Sequence, residues 1–318
     1  MPLPKPFTSV LIVLPFVALS YFATAQDFGI AKSKEGLYLL EGADTVLFYR
    51  SAPASIDGKW SRANYIHPLY GMHGEVLTED FPDDHPHHRG VFWAWHQVWV
   101  GDKRIGDPWE CRDFEWNVRR AVLAASNDRF AVLEAEVYWQ SPDFVNQKGK
   151  IVQIAREQVR IRVHRKERHF RVIDFDISIQ PLVEGLRLGG SEDEKGYGGF
   201  SVRMKLPDDV VFQSSTGPVV PRVNAIEAGP WIDILGTVRR GRAKSGIVLL
   251  SHPENPGHPQ PWILRSKDSM QNVAWPGREP ETIQRGQPVQ LRYRLVLHSG
   301  SLEPAVIENM YREYSADY

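Results

Sequence analysis

Cysteine is almost missing from the 318 residues: Cys111 stands alone. No disulfide within the chain can staple the fold, so stability has to come from a hydrophobic core, which a chain of this length can supply. A surplus of charge is missing too. The 38 Lys and Arg against 39 Asp and Glu leave a formal net charge of -1. That excludes the basic balance of a nucleic-acid binder and the acidic run of a solvating tail. No fixed-period repeat and no low-complexity linker interrupts the sequence, which argues against a propeller and for one domain over residues 26–318. Between residues 26 and 300 no stretch sustains a 3.6-residue apolar period. Beyond residue 25 no apolar run approaches the roughly 20 residues of a spanning helix.

The first 25 residues read as a processed leader. Lys5 supplies a short positive region, Phe7 to Phe22 is largely apolar, and Ala23-Thr24-Ala25 forms an A-x-A cleavage site ahead of Gln26. The expectation is an exported protein, periplasmic or secreted, with no membrane anchor after processing.

Alternation with period two fills the remainder. Val132, Ala135, Val137 and Trp139 oppose Glu134 and Glu136; Val159, Ile161 and Val163 oppose Arg160, Arg162 and His164. Ile173, Phe175, Ile177 and Ile179 oppose Asp174, Asp176 and Ser178, and Val289, Leu291, Tyr293, Leu295 and Leu297 oppose Gln290, Arg292 and Arg294. Period two marks strands with one buried and one wet face. Long strands with 25 Gly and 23 Pro in their turns predict an all-β fold, a large antiparallel β-sandwich of the galactose-mutarotase-like kind or a related supersandwich. One helix is expected, over Pro304 to Tyr314, with Ser301 as a candidate cap.

Residues 78–99, TEDFPDDHPHHRGVFWAWHQVW, concentrate the titratable and aromatic groups: His85, His87, His88 and His96, with Asp80, Asp83, Asp84 and Arg89, then Trp93, Trp95 and Trp99. Pro82 and Pro86 stiffen the segment and bar helix or central strand there. An imidazole titrates near neutrality and can move the protons of sugar hydroxyls. His87 or His88 as acid or base, oriented by Asp84 or Asp80, is the leading reading, against a hydrogen-bonded structural cluster and against a divalent metal on His85 and His87. Arg89 either clamps a carboxylate or keto oxygen or pairs with Asp83 or Asp84. The three tryptophans share strand parity and form either core or a stacking surface, with His96 on the other face. Cys111 reads as a small buried hydrophobe.

Two later loops add candidates. Residues 185–199, GLRLGGSEDEKGYGG, carry Lys195, either a solvated tip or a ligand contact. Gly196-Tyr197-Gly198-Gly199 is no phosphate cradle, because no helix follows it, and no nucleotide cofactor is expected. Residues 251–265, SHPENPGHPQPWILR, add His252, Glu254, Asn255 and Arg265 as substrate-binding candidates.

The motifs DHPHHRGVFWAW, KGYGGFSVR, HPENPGHPQPWILR and QLRYRLVLHSG resemble, in this order, the bacterial family labelled PmoA. The resemblance implies an exported or periplasmic β-sandwich found among carbohydrate-catabolism genes. It implies no oxygenase chemistry, since the methane-oxygenase subunit behind the label is an integral membrane protein. It carries no catalytic residues over to this chain. The resulting expectation is a carbohydrate-active enzyme, a lyase, epimerase or hydrolase, with a sugar under the three loops. A non-catalytic carbohydrate-binding protein and a structural protein of the cell envelope are the alternatives.

Overall fold

A computed structural model describes residues 27–239 and 243–316; the leader expected over residues 1–25 lies outside them. Alternating side chains build two large antiparallel sheets. The first has eight strands in the order Phe28–Lys32, Gly36–Glu41, Asp44–Arg50, Tyr65–Leu69, Val91–Ala94, Gly199–Val202, Gln271–Val273 and Trp262–Ile263. The second has nine, in the order Glu115–Ser126, Phe130–Gln140, Ala155–His164, Phe170–Pro181, Val289–Ser299, Ser245–Ser251, Trp231–Gly236, Val211–Ser214 and Gly217–Val219. Their inner faces share one buried cluster, which runs from Leu39, Leu47 and Trp93 on the first sheet to Leu133, Ile161, Phe175 and Leu295 on the second. The molecule is therefore the large antiparallel sandwich that the period-two patterns require.

One helix, Pro304–Ala316, closes the chain. Proline occupies its first position, where a missing N–H costs nothing, so the helix starts three residues beyond Ser301. Ile307 and Tyr314 pack with Trp231, Val248, Leu250 and Val296 on the outer face of the nine-stranded sheet. No helix among the described residues is long and apolar enough to cross a membrane.

The segment expected as one strand from Val91 to Val100 is two. Val91–Ala94 belongs to the eight-stranded sheet. Gln97–Val100 belongs to a four-stranded sheet with Glu281–Ile283, Leu186–Gly189 and Lys103–Gly106. The break at Trp95-His96 separates the tryptophans: Trp93 and Trp95 are core, while Trp99 is half-buried beneath the Arg187 guanidinium. Because Trp93 points inward, Phe92 points out of the sandwich, and it is this outer face that the His-rich loop covers.

A buried carboxylate joins the two sheets. Glu157, on Ala155–His164, accepts hydrogen bonds from Asn64 Nδ2 (2.7 Å) and Trp93 Nε1 (2.6 Å) at Oε1, and from Trp139 Nε1 (2.6 Å) at Oε2. Tyr49 Oη donates to Asn64 Oδ1 at 2.7 Å, extending the network into the first sheet. Burial pushes the Glu157 pKa up, and the three N–H donors oppose that shift. Replacing Glu157 by alanine leaves three buried donors without an acceptor, each worth about 1–3 kcal/mol. Glu157→Ala is expected to lower unfolding stability by about 3 kcal/mol or more in chemical denaturation, with Glu157→Gln between it and the parent; a loss below about 1 kcal/mol would show that the network does not hold the sheets.

Candidate functional site

The His-rich loop is fixed before any ligand arrives. Gly90 adopts φ 50°, and a Cβ there would lie 1.9 Å from the Ile66 carbonyl oxygen, so only glycine lets the loop pass this strand. Two arginines hold the loop from beneath. Arg89 is fully buried: its Nε donates to Asp80 Oδ1 (2.5 Å), and its terminal nitrogens donate to Trp60 O, Ala54 O and the Tyr65 hydroxyl. Its guanidinium lies 3.3 Å from the centre of the Phe81 ring. The pairing expected with Asp83 or Asp84 is made with Asp80, and the buried guanidinium spends four of its five N–H donors inside the protein. Arg203, on the strand side, donates to Glu79 (2.8 Å) and to both oxygens of Asp84 (2.8 and 2.7 Å).

Asp84 also accepts from His85 Nδ1 at 2.6 Å. Burial works against its charge, but the hydrogen bonds from Arg203 and His85 outweigh it and hold the carboxyl below its ordinary range. Asp84 thus anchors the loop; it does not orient His87 or His88, and neither does Asp80.

The imidazoles converge. Ring centroids of His85 and His88 are 4.7 Å apart in a stack, those of His87 and His88 4.5 Å apart edge to face, and those of His85 and His87 5.6 Å. His87 Nδ1 lies 3.5 Å from Glu110 Oε2. Trp109 connects this group to a second one. It packs against His88 (5.8 Å), Phe92 (5.3 Å), His96 (5.4 Å) and Tyr197 (5.1 Å), and the last two rings meet at 5.0 Å. His96 Nδ1 is 3.2 Å from Asp107 Oδ2, a carboxylate that also takes Arg104 and Arg112. The ring nitrogens His88 Nδ1 and His96 Nε2 are buried without a hydrogen-bond partner. His96 therefore joins the cluster, despite its opposite strand parity to the tryptophans.

Burial decides the protonation state. It drives the His87 pKa down to about 3, helped by the charges of Arg62, His85 and His96 and opposed by Asp107. Burial also pushes His88 well below the usual imidazole value, with His87, His85, Arg203 and Arg62 adding to the shift. The carboxylate of Glu110 at 3.5 Å is too weak a partner to reverse this. Both rings are neutral near pH 7, so they can accept a proton but have none to give up as imidazolium. Burial raises the Tyr197 hydroxyl above its usual value, so it is protonated near pH 7 and a weaker acid than a free phenol.

The two later loops divide. From the glycine-rich loop, Lys195 Nζ pairs with Asp193 at 2.8 Å and stands 5.4 Å from the centre of the Tyr197 ring. Arg265 donates to the carbonyls of Arg222, Val223 and Leu264 and is electrostatically coupled to Tyr197 and Asp193. These two border the cluster. The start of the proline loop does not. His252 packs edge to face on Tyr314 of the terminal helix at 5.0 Å. Glu254 pairs with Arg292. Asn255 donates to Ser251 Oγ and Arg292 O and accepts from Arg292 N. All three sit with the outer face of the nine-stranded sheet, across the sandwich from the histidines.

Among the described residues no set of three His, Cys, Asp or Glu side chains is arranged to hold a metal ion, so the expected His85–His87 pair has no third donor. Cys111 is half-buried and accepts from Arg62 Nε at 3.4 Å. A cleft of about 490 Å³ is lined by Ser61, Asp113, Trp116 and Pro142 among others, with none of the histidines. The residues missed in the sequence are Asp107, Trp109, Glu110 and Tyr197. They come from turns without periodicity, and only the density of aromatic and acidic types around Pro108 hinted at them.

An antiparallel sandwich carrying a buried imidazole cluster on one outer face is the class that fold and site define. The chain belongs to a family of unknown function (DUF6807), whose model matches residues 38–312. No curated protein matches it.

The pKa shifts fix a pH dependence. The unfolded imidazole titrates near 6.5, whereas folded His87 does so at about 3. Below pH 6.5 the unfolded chain binds protons that the folded chain refuses, so stability falls as pH drops through that window. His87 alone is expected to cost about 1 kcal/mol per pH unit between pH 6 and 4, and His88, shifted in the same direction, adds to the slope. Denaturation midpoints across that range check this, and His87→Gln should flatten the slope; a slope unchanged by the substitution would mean that His87 is not held neutral.

Proposed function

We propose that the protein is an exported carbohydrate-active enzyme in which His87 accepts a proton from a sugar substrate. The convergence of four imidazoles with Glu110, Trp109 and Tyr197 carries this reading. With Glu110 at Nδ1, the Nδ1–H tautomer is favoured and Nε2 keeps its lone pair as the base. The acid is assigned to the Tyr197 hydroxyl, because both His87 and His88 are neutral. Asp107 cannot take that role. Although burial opposes its charge, hydrogen bonds from His96 and the Glu110 N–H hold its carboxyl below the usual range. Proton removal on one side and delivery on the other suits a lyase or an epimerase better than a hydrolase, which needs a protonated carboxylic acid at the leaving oxygen.

Carbohydrate is favoured over other polar substrates by the resemblance to the PmoA family and its carbohydrate-catabolism gene context. The same resemblance and the A-x-A leader support export. A sugar-stacking platform at this cluster would need exposed tryptophan faces, and Trp93, Trp95 and Trp109 are all buried.

The test is turnover on a panel of neutral and uronate-containing oligosaccharides, read by NMR for elimination, epimerisation or cleavage. On the substrate that reacts, His87→Gln is expected to lower kcat by on the order of 10² or more, and Tyr197→Phe likewise, with circular dichroism unchanged. Full turnover in His87→Gln would remove the proposed base.

A further inference from the structure

The outer face of the nine-stranded sheet has two halves of opposite character. One half carries Trp231, Val248, Leu250 and Val296 and is covered by the terminal helix. The other is bare and polar, and it holds a cleft of about 340 Å³. The strand register builds this half as two parallel rows. Arg120, Glu136, Gln158, Ser178 and Gln290 face one another across five consecutive strands. Beside them run Glu134, Arg160, Asp176 and Arg292. The cleft floor reaches Ala135 and Val159, where the long side chains part.

We propose that this groove binds a neutral glycan chain, lying across the strands. The inference goes beyond the proton-transfer reading and does not depend on it, since the groove and the imidazole cluster occupy opposite outer faces of the sandwich. Four observations carry it. First, the charge balances: Arg120, Arg156 and Arg160 line the cleft with Glu134, Glu136 and Asp176, so neither a polyanion nor a polycation is favoured. Second, hydrogen-bonding capacity is left over. Among the described residues the side chains of Arg120 and Gln158 make no hydrogen bond or ion pair in the protein, and Arg160 approaches Glu134 only to 3.9 Å. Arg156, by contrast, is held on Glu136 at 2.5 Å and 2.8 Å, forming a fixed wall. Third, the strands under the cleft floor, Phe130–Gln140 and Ala155–His164, are paired on both sides, so a ligand lying over them meets side chains and not open backbone; the sheet's edge strand, Glu115–Ser126, borders the groove only at Arg120. A ligand must be held by side chains alone. Fourth, those side chains are guanidinium, carboxylate and amide groups, which engage neighbouring hydroxyls in pairs. Five strands about 4.8 Å apart give a track of about 19 Å, long enough for several sugar units in a row. No aromatic ring lines the cleft, so the ligand is held by hydrogen bonds and not by stacking.

Affinity electrophoresis through gels containing a soluble glucan, a galactomannan or a xylan tests the proposal, with polygalacturonate as the charged control. The full protein should be retarded by at least one neutral polymer, and the Arg120→Ala/Gln158→Ala variant should lose at least tenfold in affinity for it. Neither side chain has a partner in the protein, so this variant is expected to fold normally; Arg160→Ala serves as an independent second variant. His87→Gln should be retarded as strongly as the parent. The proposal is overturned if no neutral polymer retards the protein, if polygalacturonate retards it more strongly than all three, or if both groove variants run as the parent does.

Discussion

A single carboxylate deep in the sandwich fixes the relation between its two sheets. Glu157 belongs to one sheet and accepts the indole N–H of Trp93 from the other, with Trp139 and Asn64 completing its shell. An ionisable group this deep is costly unless every lone pair is engaged. The cost makes the arrangement selective: sliding one sheet past the other would strand the charge and the donors together. Trp93 is thereby pinned, and so is the strand that carries Phe92 on its reverse side. Phe92 supports Trp109 and His88, which places the imidazole cluster at a fixed distance above the core.

The cluster itself depends on exclusion of water. Four histidines within a few ångströms would repel one another as cations, and arginines lie close by. Burial keeps His87 and His88 neutral, which removes two charges from that group. The supporting arginines, Arg89 and Arg203, are each matched by carboxylates, and the Arg203 charge that still reaches His88 helps to keep that ring neutral. The loop is consequently rigid, and His87 and His88 stay unprotonated near pH 7. The geometry is preset and His87 is in its basic form, although the burial that keeps it neutral also weakens it as a base.

The fold was legible because its long strands alternate without interruption. Val159, Ile161 and Val163 against Arg160 and Arg162 could only be a sheet with one wet face, and the terminal helix was visible in Val306, Ile307, Met310 and Tyr314. The break at Trp95-His96 was not legible, since parity continues smoothly through it and nothing local announces a change of sheet. The site was half legible. Composition exposed the histidines, but the partners of a side chain are set by tertiary proximity, which spacing does not encode. Asp84 was assigned to orient an imidazole by its nearness in sequence, whereas the structure gives it to Arg203, 119 positions away. Glu110 and Tyr197 came from turns whose sequence carries no pattern. Conversely, His252, Glu254 and Asn255 looked like site residues because a proline-rich loop held them, and they fasten that loop to the opposite face.

The central claim, that a sugar is handled at the imidazole cluster by a neutral His87, is tested most directly by a crystal structure of the His87→Gln protein with a reacting oligosaccharide bound. Density for a sugar ring between residue 87 and the Tyr197 hydroxyl, in contact with the edge of the Trp109 environment, is the expected result. Ordered sugar bound only elsewhere, with the cluster closed and unchanged, would contradict the account.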